Sequence, residues 1–226
     1  MPAFSPVDGL ARQKSRSNPA AVQSVLARLK QDTADAHACV DGLVDLEQLD
    51  RAKYREFLAA LRRAYRSIDR SLAAHAHALA EFGYVTRLGD RIALLDADIA
   101  DLDRDREELN AGDIASAKNP GGEQPAVDLA TPASAFGAIY VIEGATLGGQ
   151  VIARHIIPSL ALDPPNGCRF VLGDGDLTGP RWRETGQALN AFAAANPSRI
   201  PAMVDGAINT FALIEASIRS GAVRGR

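Results

Sequence analysis

Two cysteines, Cys39 and Cys168, in a chain of 226 residues give no material for a disulfide framework, so a reducing, cytoplasmic setting is the default expectation. No apolar run reaches the roughly 18 residues of a membrane span. Glu143 and Arg154 interrupt the most apolar stretch, and the N-terminus lacks the apolar core of a secretion signal. Neither sign of charge dominates: 25 Lys and Arg face 28 Asp and Glu, a net charge of −3, which removes any general pull toward nucleic acid. Aromatic residues are only 5% while alanine is abundant, a composition that fits closely packed helices. No glutamate precedes a histidine by three positions, which argues against a ferritin-type di-iron site. His75 and His77 are two apart and diverge on a helix, so they cannot chelate together. No base is suitably spaced from Cys39 or Cys168 for a thiol mechanism.

What is present centres on Thr131 to Pro158. Thr131 reads as an N-cap and Pro132 as the first helical residue of a long, mostly buried helix that ends before Pro158. Gly144, Gly148 and Gly149 interrupt it. Each mid-helix glycine costs about 1 kcal/mol relative to alanine, so something should offset the three. Gly144 and Gly148 share a face and Gly149 widens the bare patch. Such a patch suits either a flat ligand lying on the backbone or close helix–helix packing, and spacing alone favours packing.

A second stretch adds a candidate ligand. Leu26, Leu29, Thr33, His37 and Val40 recur at helical spacing, placing His37 on a mainly apolar stripe. Lys30 lies seven residues before His37, about 10 Å along the same helix at 1.5 Å per residue. An inward imidazole with an ammonium at that distance suits a metal-centred ligand with an anionic edge. Alone, a histidine on an apolar face favours the reading as a satisfied core residue.

The remaining pattern predicts one all-α domain over residues 19–226, behind a loose tail at 1–18 rich in Ser, Pro, Arg and Lys. Helix one runs from Asn18-Pro19 to Val40. Asp50 caps helix two, whose stripe is Phe57, Leu61, Tyr65, Ile68 and Leu72 and whose end is Gly83. Helix three carries Leu88, Ile92, Leu95, Ile99 and Leu102. A mobile loop is expected over about 111–130, and the glycine helix is the fourth. Phe170-Val171-Leu172 reads as a packed loop. Helix five starts at Thr178-Gly179-Pro180, carries Trp182, Leu189 and Phe192, and stops at Asn196-Pro197. Helix six runs from Ile200 to Ser220, with Val204, Ile208, Phe211 and Ile218 inward. On helix two, Arg55, Arg62 and Arg66 share a face, either solvated or a docking surface for an acidic electron donor.

T-x-x-x-H in the first helix, followed downstream by Y-V-I-E-G-A-T-L-G-G-Q-V-I-A-R-H, resembles the heme oxygenase family, closest to the bacterial branch that serves bacteriophytochromes. The resemblance runs from about Val25 to about Ile218, and Gly206 to Phe211 (G-A-I-N-T-F) resembles that branch too. It implies a single-domain helical bundle with haem sandwiched between the first helix and the glycine-rich distal helix. His37 is then the proximal iron ligand, and Thr33 lies within its motif. Gly144, Gly148 and Gly149 bring the distal backbone close to the macrocycle. Lys30 matches a propionate-binding lysine, Tyr140 faces the haem edge, and Arg181 and Arg183 are further basic residues within reach of a propionate. The reaction implied consumes molecular oxygen and electrons and releases biliverdin, carbon monoxide and ferrous iron. The electrons come from an external donor, a ferredoxin or a flavoprotein reductase, and the bilin would supply a bacteriophytochrome. Ala145 marks a departure: animal members place there an aspartate that holds a catalytic water network, so proton delivery needs another group. Two other readings fit the residues: a non-catalytic haem-trafficking protein on the same scaffold, and a helical interaction protein whose glycines only pack helices.

Overall fold

Thr131 ends an extended segment and starts the central helix. Its hydroxyl accepts the Ser134 amide at 3.2 Å while the Ser134 hydroxyl accepts the Thr131 amide at 3.0 Å, so two donors of the first turn are satisfied together. Pro132 follows at the first helical position, where no amide hydrogen is needed. The computed structural model describes residues 24–109 and 127–222, and carries this helix from Pro132 to Ser159. Among the described residues all regular structure is helical: α1 Val25–Asp32, α2 Ala34–Asp41, α3 Arg51–Ala73, α4 Ala76–Glu81, α5 Leu88–Leu109, α6 Pro132–Ser159, α7 Arg169–Leu172, α8 Thr178–Ala195 and α9 Ile200–Ala222. The expected tail, the start of helix one and most of the expected loop lie outside the described residues.

The first half of α6, from Ala133 to Glu143, is almost wholly buried. Its main partner is α9, and the two helices meet backbone to backbone. A Cβ on Gly206 would stand 2.2 Å from the Ser134 carbonyl oxygen, and one on Gly137 would stand 1.9 Å from the Met203 carbonyl oxygen. No side chain fits at those distances, so each helix offers its glycine to the other. On the neighbouring flank Phe136 stacks on Phe192 of α8 with ring centroids 4.4 Å apart, and Phe82 meets both rings edge-on.

Helix α3 begins where Asp50 caps it, its carboxylate accepting the Lys53 amide at 2.7 Å. Leu58, Leu61, Tyr65, Ile68 and Leu72 form its buried stripe, with Phe57 only half-buried. The arginines of α3 do not form a free basic face. Arg55 grips Asp103 of α5 at 2.7 and 2.9 Å, Arg62 and Arg66 share Asp96 at 3.1 and 2.9 Å, and Arg51 reaches Asp105 at 2.5 Å. They are one half of an ionic seam whose other half is the aspartate-rich side of α5.

Four local expectations change. Helix one is divided at Thr33, whose hydroxyl donates back to the Leu29 carbonyl at 2.7 Å and whose backbone leaves the helix at φ −107°, ψ 7°. Helix two is divided after Ala73, where His75 holds the Leu129 carbonyl at 2.5 Å and α4 restarts before the left-handed Gly83, φ 80°. Pro158 lies in the last turn of α6 rather than beyond it. Phe170-Val171-Leu172 belongs to the short helix α7, because Asp98 of α5 accepts the amides of Arg169 and Phe170 at 2.9 and 2.8 Å. Burial pushes the Asp98 carboxyl above its ordinary range, and those amides with Arg169 oppose the rise.

Gly206→Ala forces α6 and α9 apart. We expect a loss of about 1–3 kcal/mol from overpacking, against a gain of only about 1 kcal/mol in helix propensity. Gly89→Ala, with nothing near its added methyl, should leave the thermal melt unchanged or raise it. Equal melts for the two variants would refute the backbone contact.

Candidate active site

The break at Thr33 sets α2 apart from the core. Leu29 and Thr33 are buried, yet α2 itself contains no fully buried residue and packs mainly on α9. His37 continues the stripe of Leu29 and Thr33, but its side chain is 59% exposed. That exposure rules out a core histidine: the imidazole faces open space. Its Nδ1 lies 2.9 Å from Oδ2 of Asp41, one turn on, and its ring meets Phe211 of α9 edge-on at 5.5 Å between centroids. Nε2 makes no hydrogen bond to the described residues. A carboxylate on one ring nitrogen with the other nitrogen free is how a ligating imidazole is held in one tautomer.

Across from α2 runs the second half of α6. The two helices come near each other at both ends and do not pack closely between them. At one end Tyr140 lies near Thr33; burial raises the Tyr140 pKa and the Thr33 hydroxyl opposes the rise. At the other end His155 Nε2 meets the Leu46 carbonyl at 2.8 Å, holding the segment that follows α2. The cleft left between them is apolar. Leu147 and Val151 on α6 and Ile208 on α9 are 39%, 59% and 38% exposed. Ile208, expected inward in the core, thus borders the opening instead.

The three glycines of α6 divide. Gly148 has nothing within 4 Å of an added Cβ, so its backbone lies bare. Gly144 faces the indole of Trp182 at 3.7 Å, an ordinary contact, and Trp182 in turn lies 6.0 Å from the Tyr140 ring. Gly149 is turned away: its added Cβ would stand 2.9 Å from the Val171 carbonyl, so its small size serves the α6–α7 contact rather than the cleft. Ala145 is exposed and adds no polar group.

Lys30 is exposed on α1, separated from His37 by the Thr33 break, and contacts no described acid. Arg181 is held by Asp174, which also takes Arg91 at 2.6 Å, whereas Arg183 is exposed. Sequence reasoning missed Asp41, Phe211 as a neighbour of the imidazole, and Trp182 as a cleft wall. Only Asp41, four residues after His37, had a readable signal. A surface depression of about 470 Å³ beside Gln150, Arg154 and Asp176 lies on another flank of α6 and shares no residue with this cleft.

An apolar slot, one free imidazole nitrogen and one stretch of bare backbone suit a flat, apolar, metal-bearing ligand. The residues fit a haem. Among the described residues no three His, Cys, Asp or Glu side chains converge, so a metal here would take fewer than three of them as ligands.

The comparisons with known proteins bear on the family and the fold. A family model described as heme oxygenase matches residues 23–219. The structure is similar to that of heme oxygenase from Leptospira interrogans, with a TM-score of 0.66 and 17% identity over 87% of this chain and 99% of that one. It is also similar to the NO- and CO-bound heme oxygenase from Neisseria meningitidis, with a TM-score of 0.51 and 22% identity over 88% and 92% of the two chains. No curated protein sequence matches.

The glycines make a paired prediction. Gly148→Leu should leave the apo-protein as stable or more so, since a better helix former enters open space, while haem affinity falls sharply. Gly149→Leu should lower the apo melting temperature by overpacking α7. Thermal melts with haem titrations separate them, and unchanged haem affinity in Gly148→Leu would remove Gly148 from the cleft wall.

Proposed function

We propose, from the premise that this chain belongs to the heme oxygenase family, that it degrades haem to biliverdin in the cleft between α2 and α6. The observation that carries the assignment of the cleft is the exposed imidazole of His37 in line with buried Leu29 and Thr33. His37 would bind the iron through Nε2, with Asp41 holding the Nδ1 proton and so fixing the tautomer. Bound haem supplies both the substrate and the centre at which oxygen and electrons are consumed.

The rest is done by the chain. Gly148, and Gly144 beside Trp182, would let the α6 backbone approach the macrocycle face closely. Leu147, Val151 and Ile208 would cover its apolar surface and exclude water. Tyr140, near Thr33, would bound one end of the seat. Lys30, free of acids, supports a propionate role, with Arg183 as a second cation. Ala145 offers no acid, so protons would arrive through water held by backbone groups or by residues behind the wall. The electron donor would be a ferredoxin or a flavoprotein reductase. With Arg55, Arg62 and Arg66 already engaged by Asp96 and Asp103, its docking site would lie elsewhere than α3. The product would serve as chromophore for a bacteriophytochrome, a reading supported by the branch-like segments around Gly144 and Gly206. A cytoplasmic setting would follow from such a partner and donor.

Haem added aerobically with a reducing system should lose its Soret band as bilin absorption appears. His37→Ala should retain a folded bundle and lose most turnover, with an altered haem spectrum. An unchanged spectrum in that variant would return the iron ligand to another residue.

A further inference from the structure

The wall helix α6 carries a single acid, Glu143, directly before Gly144. It does not enter the cleft. Its side chain is buried, 4% exposed, on the flank of α6 next to the glycine face. Tyr84 donates its phenol hydrogen to Oε1 at 2.7 Å, and the Arg87 guanidinium stands 3.5 Å from Oε2. Both carboxylate oxygens are thus engaged by the segment that joins α4 to α5. Around this trio lie Tyr65 of α3 and Arg91 of α5, both buried, with Arg91 committed to Asp174 and Asp174 also to Arg181 of α8. The Arg87 Nε is buried and has no hydrogen-bond partner among the described residues. Burial first, and Glu143 second, push the Tyr84 phenol far above its ordinary pKa, so it stays a proton donor to the carboxylate.

A buried carboxylate is costly in a helical core, and an apolar side chain of similar size would fill the same place more cheaply. Its position suggests what it gives in return. The carboxylate sits behind the first exposed turn of the cleft wall, and the cleft side of that turn holds only glycine, alanine and apolar groups. Its charge is therefore not screened by any closer ionic group on α6. We infer that Glu143, held by Tyr84 and Arg87, is a positioning residue: a fixed negative charge behind the wall that sets the electrostatic field over Gly144–Gly148, and with it how readily haem in the cleft accepts an electron. The inference rests on the haem seat proposed above. A negative charge opposes reduction of the iron, and Arg87 partly offsets it.

The test is a redox titration of the haem complexes of the full chain at one neutral pH. Glu143→Gln keeps the shape and removes the charge. At a fixed applied potential, its ratio of ferrous to ferric haem should rise about fourfold to seventeenfold, the effect of one charge through an effective dielectric of about 20 over roughly 10–20 Å. Arg87→Gln should move the ratio the opposite way. A merely structural disturbance would shift both variants in the same direction, and that result, or no shift in either, overturns the inference. If Glu143→Gln fails to fold, Arg87→Gln decides alone, since that side chain is 28% exposed and its loss is tolerable; no fall in its ratio is then the negative result. Failure of the native chain to take up haem would instead overturn the seat itself.

Discussion

The crossing of α6 and α9 is the contact on which the rest of the bundle depends. Gly137 and Gly206 let the two backbones touch, with Ser134 and Met203 as the groups they meet. Helices packed through larger side chains sit about 8–10 Å apart, and a pair this close leaves no room for side chains between them. The first half of α6 is consumed by this contact. Its second half projects past it, and Leu147 and Val151 there remain partly exposed. The cleft is what the second half of the helix borders once the first half has been locked to α9.

The charged groups are distributed to the same end. The arginines of α3 and the aspartates of α5 neutralise one another along an outer seam, and each such pair is worth little by itself, about 0–1 kcal/mol where exposed. Their combined effect is to hold α5 in register with α3, and α5 in turn supplies Asp98, which caps α7. Helix α7 then presses its Val171 carbonyl against Gly149. The back of the cleft wall is thus fixed by a chain of contacts that begins at a solvent-facing row of ion pairs. Cys168 at the root of α7 is buried, its thiol pushed up to about 11 by burial and by Asp98, and so is inert.

Much of this was legible in the sequence. The capping residues Thr131 and Asp50, the hydrophobic stripes of α3, α5 and α9, and the starts of α8 and α9 follow local rules, and local rules are what a sequence states openly. The histidine and the Gly-x-x-x-Gly-Gly pattern drew attention to α2 and α6, and of the three glycines Gly149 faces α7 instead. What was not legible depended on distant partners. The α7 turn forms because a carboxylate 71 positions upstream caps it. The roles of Gly144, Gly148 and Gly149 differ because Trp182, open space and Val171 respectively stand opposite them, and no spacing rule distinguishes these. The glycines of the α6–α9 crossing, Gly137 and Gly206, lay outside the Gly-x-x-x-Gly-Gly pattern. Paired arginines and free ones look alike until the aspartates are in place.

Helix α2 has one property with a consequence for turnover. It buries no residue fully, and it is held by Thr33 at its start, whose hydroxyl donates to the Leu29 carbonyl, a single imidazole bond to Leu46 beyond its far end, and its contact with α9. Such a segment opens at far lower free energy than the core, and its amides should exchange with solvent well before those of α6 and α9. In the haem seat proposed above, a rigid disc would complete the packing that α2 lacks and slow that opening. A cleaved, linear tetrapyrrole without its iron would offer no bond to the imidazole and a poorer fit, so the same segment would loosen again. A loosely anchored helix beside the seat would then make the cycle self-clearing: the seat tightened by what must be held and released by what must leave.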